Sequence, residues 1–207
     1  MQIIPGDAGA SDRPGVLVIH AWWGLTPSFH AFATRLAHSN LTVGLSDLFD
    51  GRTATTEAEA RTLRRMRRRE PMYRTLGRDL DALRGVAGGP VGIVGFSMGG
   101  HWAVWLSQRP EYRVAATVLY YTARGGDFGQ SRSAYLAHYA QTDPWVSAAA
   151  RRGMERAIVR AGCAYEGFDY PQTGHWFAET DHGEYHPQAA DLAFGRTAEF
   201  LTQRLAE

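Results

Sequence analysis

The sequence contains no lysine and only one cysteine, Cys163. A lone cysteine excludes an internal disulfide framework and has no partner for redox work, which leaves Cys163 as a small buried hydrophobe. Without lysine there can be no Gly-Lys-Ser/Thr ending to a phosphate-binding loop. Net charge is nearly absent as well: 22 basic residues, all arginine, against 21 acidic ones leave a formal +1. That is too weak a field to gather nucleic acid or an anionic membrane surface. No apolar run approaches the roughly 20 residues of a membrane-spanning helix. The opening Met1-Gln2-Ile3-Ile4-Pro5 lacks the basic and apolar regions of a signal peptide. These absences predict a soluble, cytoplasmic protein with neither nucleic acid nor membrane as a partner. What is present is a 207-residue chain, 44% hydrophobic, without repeats, which suits one domain spanning residues 1–207.

Strand-sized apolar runs recur at Val16 to His20, Leu41 to Leu45, Val91 to Phe96, Ala115 to Tyr121, Ala134 to Tyr139 and Ala164 to Tyr170. Between them, helical spacing of apolar residues appears at Ser28 to His38, Glu57 to Glu70, Met72 to Val86, Met98 to Gln108, Ser147 to Ala161 and Pro187 to Leu205. Strict alternation of buried strands with helices predicts an α/β fold: a doubly wound, mostly parallel sheet with helices on both faces. In such folds ligands bind beyond the carboxyl ends of the strands.

At one such end the chain reads Gly95-Phe96-Ser97-Met98-Gly99-Gly100, a G-x-S-x-G turn between a strand and a helix. A turn this sharp forces the serine into strained geometry, and the residues two before and two after must lack side chains. Ser97 is thereby a candidate nucleophile. The Met98 amide, at the helix N-terminus, is the first candidate donor to an oxyanion. A serine needs a histidine to take its proton and a carboxylate to fix the tautomer, in the chain order serine, acid, histidine. His175 fits as base because Gln172-Thr173-Gly174-His175 follows the last strand. Asp143 fits as acid because Thr142-Asp143-Pro144 follows the penultimate strand, and the proline holds the turn extended. Asp127 is the alternative acid, and capping of the next helix is the structural alternative for Asp143. Asp169 falls inside a strand. His20, His30, His38 and His138 belong to other elements, while His101, one helical turn past Ser97, is placed to line the site. His182 and His186 lie near His175 and Asp181 but match no zinc motif, so no metal is expected. The loop His20-Ala21-Trp22-Trp23-Gly24 should supply the second oxyanion donor, the Trp22 amide. The six tryptophans, 22, 23, 102, 105, 145 and 176, all cluster in sequence around these segments. An aromatic pocket using Trp23, Trp145 and Trp176 follows, although core packing accounts for Trp102 and Trp105 equally well.

With these residues assembled, the chain resembles the dienelactone hydrolase family of α/β-hydrolases from Val16 to Leu205. The family's H/Q-x-x-x-G loop is similar to His20 to Gly24, its G-[FY]-[CS]-x-G-G elbow to Gly95 to Gly100, its acid loop to Thr142-Asp143-Pro144, and its histidine turn to Pro171 to His175. The resemblance implies cofactor-free hydrolysis of enol-lactones and related esters. Two departures stand out. The family's cysteine nucleophile and activating glutamate are here Ser97 and Ala21. Its carboxylate-binding arginine, four residues after the histidine, is here Glu179, which by that position is a candidate substrate-site residue. A neutral ester or lactone handled by a serine triad fits these residues better than an anionic dienelactone. Larger relatives insert a lid where this chain has only Thr122 to Ser133, so the expected fold is lidless, although Gly125, Gly126 and Gly129 would let this loop act as a flap.

The one charge run, Arg61-Thr62-Leu63-Arg64-Arg65-Met66-Arg67-Arg68-Arg69, reads as a solvated helix face closed by Pro71, with Leu63 and Met66 turned inward. Two other functions remain open on the same scaffold: a non-catalytic binding protein with a small-molecule ligand, and a thioesterase or peptidase relative.

Overall fold

The computed structural model describes residues 1–4, 13–66 and 69–206. Its frame is a seven-stranded sheet in the order β1-β3-β2-β4-β5-β6-β7. The strands are β1 (Gln2–Ile4), β2 (Gly15–Ile19), β3 (Thr42–Ser46), β4 (Val91–Phe96), β5 (Val114–Tyr120), β6 (Ala134–Ala140) and β7 (Tyr165–Tyr170). All pairs are parallel except β1 with β3. The helices are α1 (Pro27–Ala37), α2 (Glu57–Met66), α3 (Arg69–Arg84), α4 (Met98–Ser107), α5 (Ala148–Arg160) and α6 (Pro187–Leu205).

The side-chain alternation of a strand builds two core layers from one sequence run. On β2, Val16 and Val18 face the layer that holds Phe29 and Leu36 of α1 and Phe200 and Leu201 of α6. Leu17 and Ile19 face the opposite layer, with Leu76 and Leu80 of α3, Leu106 of α4 and Met154 and Ile158 of α5. Every residue of β2, β3 and β4 is buried, which explains why these strands read as continuous apolar runs. Strand order reverses between β2 and β4, so the loops leaving these two strands diverge and open a crevice at their carboxyl ends.

Three expectations need correction. The strand β1 has no counterpart in the apolar pattern, because three residues at the chain start give no period to read. The arginine-rich helix does not run to Pro71: α2 ends at Met66 and α3 begins at Arg69, with Pro71 in the first turn, where a missing N–H costs nothing. Met66 is 60% exposed rather than inward, while Leu63 does pack on the core. Arg67 and Arg68 lie outside the described residues. Residues 121–133, between β5 and β6, form no helix or strand, so no lid covers the crevice. This loop is anchored by the buried Phe128, edge-on to Tyr135. Cys163 is half-buried, its Sγ directed at the Ser131 carbonyl.

Among the described residues no helix is long and apolar enough to cross a membrane.

Candidate active site

The turn from β4 to α4 is built by steric exclusion. Ser97 has φ 47° and ψ −107°, a strained conformation that costs about 1–3 kcal/mol and needs support from its surroundings. A Cβ on Gly95 would lie 2.6 Å from the Gly99 carbonyl oxygen, and one on Gly99 only 2.2 Å from that of Ile19 at the end of β2. The two glycines therefore let α4 press against the strand ends. The Ser97 N–H donates to the Tyr120 carbonyl at 3.0 Å, and Thr122 Oγ1 donates to the Ser97 carbonyl at 3.1 Å, so both ends of the serine's peptide frame are held, by the last residue of β5 and by the loop that follows it. Gly99→Ala is expected to destabilise the fold by about 3 kcal/mol or more, since its collision is with the backbone of Ile19 and His20. Gly153→Ala, at a helical position in α5 with nothing within 4 Å of the added carbon, should be neutral or slightly stabilising. Urea denaturation of the pair checks this.

Two further loops carry the partners of Ser97. The Ser97 hydroxyl lies 2.9 Å from His175 Nε2, and His175 Nδ1 lies 2.8 Å from Asp143 Oδ2. With the proton on Nδ1, the imidazole donates to Asp143 and accepts from Ser97. The His175 side chain is 2% exposed and that of Asp143 fully buried. The other oxygen of Asp143 accepts the N–H groups of Trp145 and Val146, at 2.8 and 3.0 Å, which fixes the carboxylate's rotation. Capping of α5 falls to Ser147 instead, whose Oγ accepts from Ala150 N–H. The acid and histidine loops are tied together: Thr142 N–H donates to the Thr173 carbonyl, Gln141 N–H to Thr173 Oγ1, and Gln172 N–H to Gln141 Oε1. Glu184 folds back to accept the Trp176 N–H at 3.1 Å. Its carboxylate occupies the space a Cβ on Gly174 would need.

The loop after β2, which carries Trp22, is clamped by His20. Its Nδ1 lies 2.6 Å from the Ala21 carbonyl and its Nε2 accepts the Leu48 N–H at 3.0 Å, so Nδ1 carries the proton and donates. Burial lowers the His20 pKa to about 4, against the opposing pull of its hydrogen bond to Ala21, so the imidazole is neutral at physiological pH. Met98 is the first residue of α4, where an amide has no acceptor within the helix.

These elements surround a cavity of about 550 Å³ that contains Ser97, Met98 and His175, with Trp22, Trp145 and Trp176 among its walls. The sequence reading did not anticipate Tyr121, Thr122, Met72 or Tyr73 there, nor two cations, Arg64 of α2 and Arg124. His101 and Trp102 line it too. Trp22 stacks at 6.4 Å on Trp176 and meets Trp145 edge-on at 5.3 Å, and Arg61 sits over both Trp22 and Trp145. The arginine helix is thus not merely a solvated face: Arg64 lines the cavity, and Arg61 covers two of its wall tryptophans.

Two expected pocket residues are elsewhere. Trp23 lies behind the wall, edge-on to Trp22 and Trp176, because the turn at Gly24 directs it into the core. Glu179 is 1% exposed and points inward, accepting a hydrogen bond from the Tyr121 hydroxyl at 2.7 Å. Asp127 makes no contact with His175; its Oδ1 accepts the Gly129 N–H within its own loop. Asp169 pairs with Arg151 on the surface. His186 caps α6, and the ring of His182 packs on Trp176 at 4.4 Å. Among the described residues no group of three or more histidine, cysteine or acidic side chains is placed to hold a metal ion.

A lidless sheet of this topology, with a serine on the turn after β4 and an acid and a histidine beyond the ends of the last two strands, β6 and β7, defines an α/β-hydrolase fold. The chain matches the dienelactone hydrolase family over residues 3–205 and belongs to that family. A Bradyrhizobium sp. protein with the provisional name 2-oxo-3-(5-oxofuran-2-ylidene)propanoate lactonase is 27% identical over 56% of this chain and 51% of its own length. An Azospirillum brasilense protein with the provisional name carboxymethylenebutenolidase is 39% identical over 34% of this chain and 30% of its own. The matched segments thus span about half or less of these curated relatives. The solved structure of P91, a dienelactone hydrolase-like promiscuous phosphotriesterase from metagenomic libraries, superposes with a TM-score of 0.84 at 19% identity, covering 98% of this chain and 91% of the other.

Proposed function

We propose that this protein is a serine hydrolase that cleaves a small ester or lactone through an acyl-enzyme. The observation that carries the reading is the unbroken hydrogen-bonded chain from Ser97 through His175 to Asp143, opening on the cavity. In the first half-reaction Ser97 Oγ attacks the carbonyl carbon while His175 Nε2 takes its proton. The tetrahedral oxyanion is met by the Met98 and Trp22 amides, and collapse expels the alcohol, protonated by His175. Water then attacks the acyl-serine by the same route, with His175 first accepting and then returning a proton. Asp143 stabilises the imidazolium in both steps. For a lactone the alcohol stays attached to the acyl group, and only ring opening is seen. These residues supply nucleophile, base and oxyanion donors, and the names of the curated relatives agree with lactone substrates.

The modest cavity volume and the absence of a lid favour short acyl groups. Turnover of p-nitrophenyl esters should be greatest for acetate and butyrate and fall by about tenfold or more by the octanoate, as the chain outgrows the cavity. Equal or rising rates with chain length would contradict the reading. A second reading concerns charge: Arg64 and Arg124 at the cavity favour a substrate with an anionic group, which a neutral ester would not exploit. Adding a carboxylated ester of matched leaving group to the series decides between the two.

A further inference from the structure

Glu179 is a buried carboxyl that the proposed reaction does not use. Its Oε1 accepts the Tyr121 hydroxyl at 2.7 Å, and its Oε2 is buried with no hydrogen-bond partner among the described residues. Tyr121 is the residue just past β5, with φ 39°, a conformation that is costly for any residue other than glycine. Its N–H is fixed to the His138 carbonyl at 2.7 Å. This backbone turns the ring under the site, where its centroid lies 4.9 Å from that of His175 and its far side packs edge-on against Phe177. The phenol is therefore held at both ends, by strained backbone at one and by Glu179 at the other, with the imidazole resting on the ring between them.

We propose that Glu179, acting through Tyr121, is a positioning residue that keeps the His175 imidazole aligned between Asp143 and Ser97. The inference rests on reading His175 as the base. A phenol without its acceptor would be free to tilt, and a small misalignment of a general base costs rate without changing ground-state binding. The protonation states agree with this role. Burial, with Glu179 beside it, pushes the Tyr121 hydroxyl well above its usual range, so it remains a donor. Burial raises the Glu179 pKa to about 8, opposed by the Tyr121 hydrogen bond and assisted by Asp181. The titratable groups facing this pair are Tyr120 beside Tyr121, Asp181 on the loop of Glu179, and His175 itself. Below pH 8 the neutral acid accepts through Oε1 and keeps its proton on Oε2. As pH rises through about 8 the bond from Tyr121 becomes charge-assisted, and the new negative charge favours the imidazolium formed in turnover. The rate should rise through that step.

Tyr121→Phe, Glu179→Leu and Glu179→Gln test this, read by kcat and KM across pH and by the NMR resonance of the His175 Nδ1 proton shared with Asp143. Tyr121→Phe removes one hydroxyl and keeps the ring's bulk. Both it and Glu179→Leu should lower kcat by about tenfold with KM within about twofold, and should shift or broaden the His175 resonance. Glu179→Gln keeps an acceptor for the phenol. It should restore kcat to within about threefold while losing the rise near pH 8. The inference is overturned if kcat and the resonance are unchanged in Tyr121→Phe and Glu179→Leu, if the loss falls on KM, or if Glu179→Gln keeps the alkaline step. The resonance is read without turnover, so it decides the positioning role even if no ester is hydrolysed, an outcome that would count against the hydrolase reading alone.

Discussion

Ser97→Ala is expected to reduce ester hydrolysis by roughly 10⁴-fold or more while leaving thermal unfolding within a few degrees of the wild type. The loss follows from the mechanism: without Oγ there is no acyl-enzyme, and the remaining amides and His175 can only assist direct attack by water. The fold should survive because Oγ's only hydrogen-bond partner among the described residues is His175, whereas the backbone of Ser97 is fixed independently through Tyr120 and Thr122. Alanine inherits the same strained φ, so it adds no new cost. Steady-state assays with p-nitrophenyl acetate beside a melting curve separate loss of chemistry from loss of structure. A variant that retains a tenth of the activity would remove Ser97 from the mechanism.

Asp143→Asn carries the second largest effect and probes the tautomer rather than the nucleophile. The Trp145 and Val146 amides both donate to Oδ1, so they orient the asparagine with its carbonyl oxygen toward them and its amide nitrogen toward His175. That nitrogen donates. The imidazole must then accept at Nδ1 and carry its proton on Nε2, facing Ser97 with a donor where an acceptor is needed. Activity should fall by about 10⁴-fold with little change in KM. Because the substitution is nearly isosteric, the loss is not one of packing. A loss below tenfold, measured as kcat on the same ester, would mean that Asp143 does not set the histidine's state.

The parts of the molecule governed by burial and steric exclusion were legible from residues alone. Six of the seven strands lie within a residue or two of their apolar runs: β2 to β6 are buried almost throughout, which leaves a continuous signal, while the half-exposed edge strand β7 was marked by Tyr165, Phe168 and Tyr170. β1 escaped because its three residues pair only with the edge of β3. The elbow was legible because Gly95 and Gly99 answer a collision between backbones. Asp143 and His175 were placed by the rule that functional loops follow strand ends, and the structure brings both to Ser97. What could not be read was direction within a loop. Glu179 stands where the resembled family has its carboxylate-binding arginine, which implied a place at the substrate, yet the loop buries the carboxyl against Tyr121. Tyr121 was hidden inside an apolar run, where a strand-end tyrosine looks like core. Arg64 and Arg124 were invisible for the opposite reason. A guanidinium on a polar helix or loop looks solvated until the fold shows which surface it overhangs.

The central claim, a covalent acyl-serine at Ser97, is tested most directly by rapid acid quench of the enzyme after mixing with p-nitrophenyl acetate, followed by peptide mass spectrometry. The account predicts a mass increase of one acetyl group on the peptide containing Ser97, absent from Ser97→Ala and increased in any variant that slows deacylation. Hydrolysis of the ester with no adduct on that peptide, or with an adduct on another residue, would contradict it.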